Sequence, residues 1–253
     1  MMENEKNSKN IKILWTGGWD STYRVLDLVI NKKMTVQPYY IVDKRRSSTY
    51  MEFKTMDLIT KMMSEIDSKA STRILNRIVV DKDNIRQNSI ITNAYKRLKQ
   101  ISHLGSQYDW LARYSHEYDI NDLELCIHID DTVEGFIKND VELIQVENDK
   151  YYKLKDHPSN SDLKIFSYYH FPLFDMSKLQ MEKIARESGF LHIMEKTWFC
   201  HRPIRNKPCG MCNPCNYTRE EGLGRRVPKP TLLMKVNRKV SNKWKRIRKK
   251  IKN

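Results

Sequence analysis

Residues 11–22 read IKILWTGGWDST, and this stretch decides the fold class. Its first half is a short apolar run that predicts a buried strand, and the run ends at Gly17 and Gly18. Residues 23–30 then carry apolar side chains at spacings of three and four, which predicts a helix. Strand, tight loop and helix in direct succession are typical of the first unit of an α/β sheet.

The same alternation continues along the chain. We predict further strands at residues 35–43, 74–80 and 123–129, and helices at residues 49–66, 83–98 and 108–118. Residues 134–164 are charged and show no strong period, so we interpret them as irregular or as an insertion. Ser177 is expected to cap a helix that Gly189 closes. This order predicts an open, doubly wound parallel sheet over residues 11–190.

The glycine loop after the first strand is suited to hold phosphate. Its glycines let the backbone approach a ligand, and the N-terminus of the following helix favours an anion. Hydroxyl groups for the same ligand come from Thr16, Ser21 and Thr22, and Asp20 is placed to orient the loop or a bound Mg²⁺. The G-x4-G-K-[ST] spacing of a Walker loop is missing. In isolation, such a loop is equally typical of an ordinary turn.

Four of the five cysteines form a C-x8-C-x2-C-x2-C run. The run consists of Cys200, Cys209, Cys212 and Cys215. Four closely spaced thiolates can close a tetrahedron around zinc, and this spacing is typical of a structural metal site. An iron–sulfur cluster also takes four thiolates and remains an alternative, as do disulfides, although the chain shows no signal peptide. We expect a zinc-binding region over residues 191–230.

The composition indicates one main domain and a basic appendage. The chain has 253 residues and a formal net charge of +15, and ten Lys or Arg residues lie between positions 235 and 252 without an acid. Apolar residues recur there at spacings of three and four, so residues 231–253 are predicted to form a cationic amphipathic helix. This helix could contact nucleic acid, an anionic surface, its own domain or a second copy of the chain.

The start of the chain and its hydropathy bear on its location. Residues 1–10 are polar and are expected to be disordered, with neither a secretory signal nor a transit peptide. No run of eighteen apolar residues occurs, which argues against a membrane span. We therefore expect a cytoplasmic protein.

Two segments carry a resemblance to a known family. The glycine loop resembles the S-G-G-x-D-S loop of the PP-loop ATP pyrophosphatases, which share an adenine nucleotide alpha hydrolase fold. Residues 172–189 (PLFDMSKLQMEKIARESG), the cysteine run and the following NYTREEGL resemble the 7-cyano-7-deazaguanine synthase family. The resemblance spans roughly residues 11–222. It implies an enzyme that uses ATP and Mg²⁺ to adenylate a carboxylate of a 7-deazaguanine and couples it to ammonia, giving an amide and then a nitrile.

The resemblance also implies site residues. The pyrophosphate would be bound by the loop, through Thr16, Gly17, Gly18, Asp20, Ser21 and Thr22, and the four cysteines would bind zinc. Lys178 matches the family's helix lysine and would stabilise charge at the α-phosphate, with Asp20 and Ser21 as its catalytic neighbours. Asp43 matches a position near the nucleotide.

Some positions depart from the family pattern. Trp19 replaces a small polar residue of the loop, and the family's G-R-N segment near the nucleobase is Gly105-Ser106-Gln107 here. These departures leave the substrate open. Alternative functions are transfer of the activated acyl group to a protein amine, as analogy with antiviral gene sets suggests, and modification of tRNA by an RNA-binding enzyme. Tyr108, Trp19, Trp110 and Phe171 are candidates to stack on a base or are core residues.

Overall fold

Seven strands form the sheet of the computed structural model, which describes residues 10–230. The strands are β1 (Ile11–Leu14), β2 (Val36–Val42), β3 (Ile78–Asp81), β4 (Leu123–Glu124), β5 (Val141–Val146), β6 (Asp149–Leu154) and β7 (Tyr169–Phe171). Their order across the sheet is β3-β2-β1-β4-β7-β6-β5. The predicted disorder of the first residues and the predicted tail helix lie outside the described residues, apart from Asn10.

Eight α-helices belong to the described part of the chain. They are α1 (Trp19–Leu26), α2 (Thr49–Ile66), α3 (Ser89–Ile101), α4 (Gln107–Glu117), α5 (Thr132–Ile137), α6 (Lys178–Glu187), α7 (Leu191–Met194) and α8 (Asn213–Thr218). A π-helical turn, Asp27–Asn31, extends α1, and a second one, Arg219–Leu223, follows α8. Short 3-10 segments cover Ser71–Arg73, Lys82–Asn84, Ser161–Phe166 and Gly224–Arg226.

The five strands from β3 to β7 in the sheet order are parallel, which confirms the predicted doubly wound α/β fold. β2 and β3 lie on one side of β1, whereas β4 and β7 lie on the other side. The sheet therefore grows first in one direction from β1 and then, from β4 onward, in the opposite direction, and the switch point lies between the neighbouring strands β1 and β4. In open α/β sheets this switch point is where loops diverge and leave room for a ligand.

The interpretation of residues 134–164 as irregular is wrong. They contain the end of α5 and the antiparallel hairpin of β5 and β6, and β6 also pairs antiparallel with β7. The sequence has no clear period here because β5 has no buried residue on either face. Alternation of apolar and polar residues appears only where one face of a strand is buried.

Other predicted elements are present with shifted bounds. The strand expected at residues 74–80 is β3, which begins four residues later, at Ile78. The helix expected from residue 83 is α3, which begins at Ser89. Asn88 sets that start because its side chain accepts hydrogen bonds from the Ile90 and Ile91 N–H groups. The apolar run 123–129 forms only two residues of regular strand, and Leu125, Cys126 and Ile127, which follow them, line a cleft.

The main core lies on the face of the sheet that α3 and α4 cover. Fully buried aromatic rings from β7 and the preceding 3-10 segment, Phe166, Tyr169 and Phe171, pack there with Leu98 of α3 and Leu111 of α4. α6 begins with the predicted cap, because the Ser177 hydroxyl accepts from the Gln180 N–H, and the Gln180 side chain accepts from the Ser177 N–H.

The described residues divide into two compact units. One comprises residues 10–45 and 49–198 and contains the whole sheet, and the other comprises residues 46–48 and 199–230. Among the described helices, none combines the length and the apolar character that a membrane span requires.

Candidate active site and metal centre

The loop between β1 and α1 exposes backbone N–H groups at the start of a helix. Gly18 is the N-cap of α1, and no side chain caps the helix there. Gly17 adopts φ +69°, and its carbonyl accepts a hydrogen bond of 2.8 Å from the Trp198 N–H, which fixes the path of the loop. The first N–H groups of α1 therefore have no partner within the helix and are available to an anion.

The three hydroxyl residues of the loop have different surroundings. The Ser21 hydroxyl accepts from the Thr16 N–H at 3.4 Å, and both residues line a cleft beside the loop. Thr22 is fully buried, and its hydroxyl accepts from the indole N–H of Trp15 at 3.0 Å. Thr16 and Ser21 thus face the cleft, whereas Thr22 anchors the helix to the end of β1.

The cleft has a volume of about 160 Å³ and lies at the switch point of the sheet. The loop contributes Thr16, Gly18, Asp20 and Ser21 to its lining. Gln107 and Tyr108 come from the start of α4, and Cys126 and Asp131 from the segment after β4. The structure therefore brings the predicted phosphate loop together with residues that are distant in sequence.

Asp20 is the centre of a charged group at this cleft. The Lys178 Nζ atom, at the first position of α6, lies 3.5 Å from Asp20 Oδ2, and the His128 Nε2 atom lies 4.0 Å from the same oxygen. The Asp130 N–H donates to His128 Nδ1, so a neutral His128 carries its proton on Nε2, facing Asp20. The Asp20 Oδ1 atom is buried and has no hydrogen-bond partner among the described residues.

Asp131 places a second carboxyl at the cleft. One of its oxygens accepts from the Val133 N–H at 2.9 Å and caps α5. Burial raises the pKa of the Asp131 carboxyl, and the Asp20 carboxylate adds to the rise, while the Val133 N–H, His128 and Lys178 act in the opposite direction. Two carboxyls close together in a partly desolvated cleft favour a bound cation or a ligand with N–H donors.

Asp43 lies away from this cleft. It stands at the end of β2, where its carboxylate pairs with Lys82 Nζ at 2.8 Å and accepts from the Arg45 N–H at 3.1 Å. Burial raises the pKa of Asp43, but these two partners outweigh burial and hold it below its usual value. Its predicted contact with the nucleotide stays a prediction.

One of the aromatic candidates lines the cleft, and others are buried elsewhere. Tyr108 lines the cleft, and burial raises the pKa of its hydroxyl well above the ordinary value. Phe171 belongs to the core, and Trp19 is buried at the start of α1. Cys126, the cysteine outside the C-x8-C-x2-C-x2-C run, lines the cleft, and burial raises the pKa of its thiol, which keeps it protonated.

His128 and Asp131 were missed as site residues. The signal in the sequence is the run His128-Ile129-Asp130-Asp131 directly after an apolar strand. Polar residues at the carboxyl end of a strand next to the first strand point to the ligand side of an α/β sheet.

The second unit contains the four-cysteine cluster. The sulfur atoms of Cys200, Cys209, Cys212 and Cys215 all lie within 4.8 Å of one another. The Sγ atom of Cys212 lies 3.8 Å from that of Cys200 and 3.4 Å from that of Cys215, and the Cys209–Cys215 distance is 3.9 Å. A tetrahedron with metal–sulfur bonds of about 2.3 Å has edges of about 3.8 Å. None of the five cysteines, all of which lie within the described residues, forms a disulfide, so the disulfide alternative is wrong.

The backbone around the cluster supports four thiolates. The N–H groups of Cys209 and Arg202 point at the Cys200 sulfur at 3.2 and 3.4 Å, and the Met211 N–H points at the Cys209 sulfur. Such donors stabilise negative charge on sulfur. Gly210 has φ +68°, and a Cβ atom there would lie 2.4 Å from the Pro228 carbonyl oxygen, so this position requires glycine.

A doubly wound α/β sheet with a glycine loop after its first strand is the fold of the PP-loop class of proteins. The family model described as "Queuosine biosynthesis protein QueC" matches residues 12–226, and the chain belongs to this family of ATP-dependent synthases. The resemblance to 7-cyano-7-deazaguanine synthase is thereby confirmed at the level of the family. No curated protein matches the chain.

Proposed function

We propose that the protein activates a carboxylate of a 7-deazaguanine, or of a closely related small molecule, by adenylation. ATP would transfer its AMP group to a carboxylate oxygen, and pyrophosphate would leave. The observation that supports this proposal most is the Lys178–Asp20 pair at the phosphate loop, beside a cleft at the switch point. AMP transfer needs charge stabilisation at the α-phosphate and a separate binding site for the leaving pyrophosphate. Lys178 would supply the first, and the loop would supply the second.

Each charged group at the loop has a role in this reaction. The open N-terminus of α1, with the Thr16 and Ser21 hydroxyls, is suited to hold the pyrophosphate. Lys178 is suited to neutralise charge that grows on the α-phosphate as the acyl bond forms. Asp20 would hold Mg²⁺, which neutralises phosphate charge when bound. The His128 Nε2 atom lies 4.0 Å from Asp20 Oδ2, and it would help to orient the Asp20 carboxylate.

The far side of the cleft is suited to a planar heterocycle. Asp131 offers an acceptor for ring N–H or amino groups, and Gln107 offers both a donor and an acceptor. The Tyr108 ring offers a flat apolar surface. These groups match the edges of a guanine-like base, which carries adjacent N–H donors and a carbonyl acceptor.

The acyl adenylate would next react with ammonia. The nitrogen attacks the acyl carbon, AMP leaves, and a proton is released to give the amide. A second activation by ATP on the amide oxygen, followed by loss of AMP and a proton, would give the nitrile. The four cysteines would bind zinc as a structural ion, since their sulfur separations suit a single tetrahedral ion.

The test is a product analysis with the full-length, metal-loaded protein. It is incubated with ATP, Mg²⁺, 7-carboxy-7-deazaguanine and ammonium, and the nucleotides are separated by chromatography. We expect AMP and pyrophosphate, and a deazaguanine product of nitrile mass. Formation of ADP, or no turnover, would overturn the proposal.

The acceptor can be identified in the same reaction. Gln107 stands in the cleft where the family resemblance expects a different residue near the nucleobase, and this departure leaves the substrate open. With a protein amine as acceptor, the deazaguanine acyl mass appears on a polypeptide and free nitrile is absent. Intact-protein mass spectrometry of reactions with candidate partner proteins separates the two outcomes.

A further inference from the structure

A second polar surface lies on the part of the sheet that the sequence failed to predict. Tyr151, Lys153 and Lys155 alternate along β6 and just beyond it, so their side chains point to the same face. Ile144 of β5 is paired with Tyr151, and His170 of β7 is paired with Lys153. Tyr152 and Leu154 point to the opposite face and pack against the core.

Tyr151, Lys153, Lys155, Ile144 and His170 line a cleft with a volume of about 590 Å³. This volume lies in the range of about 300–1,000 Å³ that is typical of small-molecule sites. None of its lining residues belongs to the lining of the phosphate-loop cleft. The surface is therefore a site of its own.

The cleft is basic. Lys153, Lys155 and Lys164 line it, against one acid, Asp156. Lys153 pairs with Glu142 at 3.1 Å, and both side chains are more than a third exposed, so this pair is weak and can exchange for another anion. Lys155 donates to the Asn139 carbonyl and is exposed, as is Lys164. The charge of the lining favours an anionic ligand.

The cleft also contains a flat aromatic surface. The Tyr151 and His170 rings stack with centroids 3.9 Å apart and an angle of 15° between their planes. Both residues line the cleft and are only partly buried. Lysines next to stacked aromatic rings on the face of a sheet are the combination that binds nucleotides without base-specific readout.

We propose that this cleft binds a nucleotide unit, with its base added to the Tyr151–His170 stack and its phosphate held by Lys153, Lys155 and Lys164. The shared chemistry is a planar base that carries phosphate, from a free mononucleotide or from one unit of a single-stranded RNA. The binding is independent of adenylation, because the two clefts have no residue in common.

Binding of a fluorescein-labelled oligouridylate to the full chain, followed by anisotropy, tests the proposal. We expect Tyr151→Ala to weaken binding about fivefold or more, and Tyr151→Phe to retain it, because only the alanine removes the stacking surface. Lys164→Glu should also weaken binding and lower the slope of log affinity against log salt by about one. The matched control is Lys61→Glu, the same charge change at an exposed position of α2 outside the cleft.

Competition and cross-linking complete the experiment. Displacement of the probe by uridine monophosphate identifies a mononucleotide site, whereas displacement only by unlabelled oligomer identifies a strand site. Cross-links from a 4-thiouridine oligomer are expected in the peptides around Tyr151 and His170. The proposal is overturned if Lys164→Glu and Lys61→Glu weaken binding equally, if Tyr151→Ala binds as tightly as wild type, or if cross-links map only to residues 231–253.

Discussion

Single charges at the end of the sheet determine what the phosphate-loop cleft can bind. Lys178 is largely buried, with 13% of its side chain exposed, and its Nζ atom faces Asp20. An ammonium group has three N–H donors, so it can contact a carboxylate and a second anion at the same time. In the proposed reaction, this pair would exchange part of its mutual contact for a phosphate group of the nucleotide.

Removal of this ammonium should affect the reaction and spare the fold. For Lys178→Met we expect AMP release to slow by about 10²–10³, the usual cost of one lost transition-state donor. Lys183→Met is the matched control, because Lys183 lies on the same helix with 76% of its side chain exposed. Initial rates of pyrophosphate release measure both variants, and equal rates would contradict the role of Lys178.

Gly17 gives a stability prediction at the same loop. An alanine there must adopt φ +69°, with its Cβ only 3.2 Å from the Glu52 carbonyl oxygen and the Met56 side chain. We expect Gly17→Ala to lower the free energy of unfolding by about 1–3 kcal/mol.

A second glycine supplies the control for this prediction. Gly135 lies inside α5, and a Cβ atom added there would meet no neighbouring atom within 4 Å, so Gly135→Ala should raise stability by about 0.5–1 kcal/mol. Urea unfolding of both variants gives the comparison. Similar shifts in the same direction would show that backbone conformation at Gly17 is unimportant.

The sequence predicted the part of the site that is local in the chain. Thr16, Gly18 and Ser21 follow one strand within a few residues, so their meeting at one loop depends only on strand-loop-helix order. Gln107 and Asp131 reach the same cleft through α4 and β4, and their approach depends on strand order. Strand order is a property of tertiary packing, which no local pattern encodes.

At the scale of elements, a buried ionic network joins α1 to β4 and to the hairpin. The Arg24 guanidinium binds Glu124 with two hydrogen bonds of 2.6 and 2.8 Å, and it also binds both carboxylate oxygens of Asp149. Lys32 contacts Asp149 as well. Arg24 is 2% exposed, and it therefore fixes the phosphate-loop helix to the hairpin.

Arg24→Met should cost about 3–5 kcal/mol at neutral pH, because two carboxylates lose their buried partner. Burial raises the pKa of Asp149, but Arg24 and Lys32 outweigh burial and lower it below its usual value. A lowered pKa in the folded state stabilises the fold above the unfolded-state pKa, and this contribution disappears as the pH falls through the folded-state value. The stability deficit of the variant should therefore shrink as the pH falls, first as Glu124 is protonated, because burial raises its pKa above the usual value even beside Arg24, and then as Asp149 is protonated.

The control for this network is an exposed pair of the same chemistry. Arg97 binds Asp162 with 58% of its side chain exposed, so Arg97→Met should cost less than about 1 kcal/mol. Thermal unfolding at a series of pH values measures both variants. A deficit for Arg24→Met that grows towards acid pH would contradict the assigned network.

Helices and strands could be predicted from the sequence where only one face of the element is buried. α2 matches its predicted bounds, Thr49–Ile66, because its buried positions recur at helical spacing along a single face. The hairpin was missed because residues on both faces of β5 are exposed or half-exposed, and β6 has a single buried residue, Leu154. Polar residues of this hairpin also line the basic cleft. The segment whose hydrophobic period could not be recognised in the sequence is therefore the one that carries the proposed nucleotide site.

In the whole molecule, most of the net positive charge lies in a different region from the proposed active site. Ten of the basic residues lie in residues 235–252, outside the described structure, whereas the cation that lies beside Asp20 of the glycine loop is Lys178 of α6. The net charge of +15 therefore indicates affinity for polyanions and does not locate the active site.

Two compact units imply two sources of stability. The sheet unit has a large apolar core, whereas the unit of residues 46–48 and 199–230 is small, and its few buried residues include Cys200, Cys209 and Cys215. Small units of this kind usually depend on a metal for folding, because four desolvated sulfurs without an ion replace a hydrophobic core poorly. The metal is thus expected to stabilise the second unit far more than the first.

Hydrogen exchange followed by mass spectrometry tests this dependence in the full chain. Chelation of the metal, or Cys212→Ser, should remove amide protection from residues 199–230 while peptides of β1, β2 and α2 keep theirs, since the free energy of metal binding is folding free energy only for the unit that holds the ligands. Cys126→Ser is the control and should retain the metal, because Cys126 lies outside the cluster. Protection lost equally throughout the sheet would mean that the metal stabilises both units, and unchanged protection in residues 199–230 would mean that the cysteines fold without it.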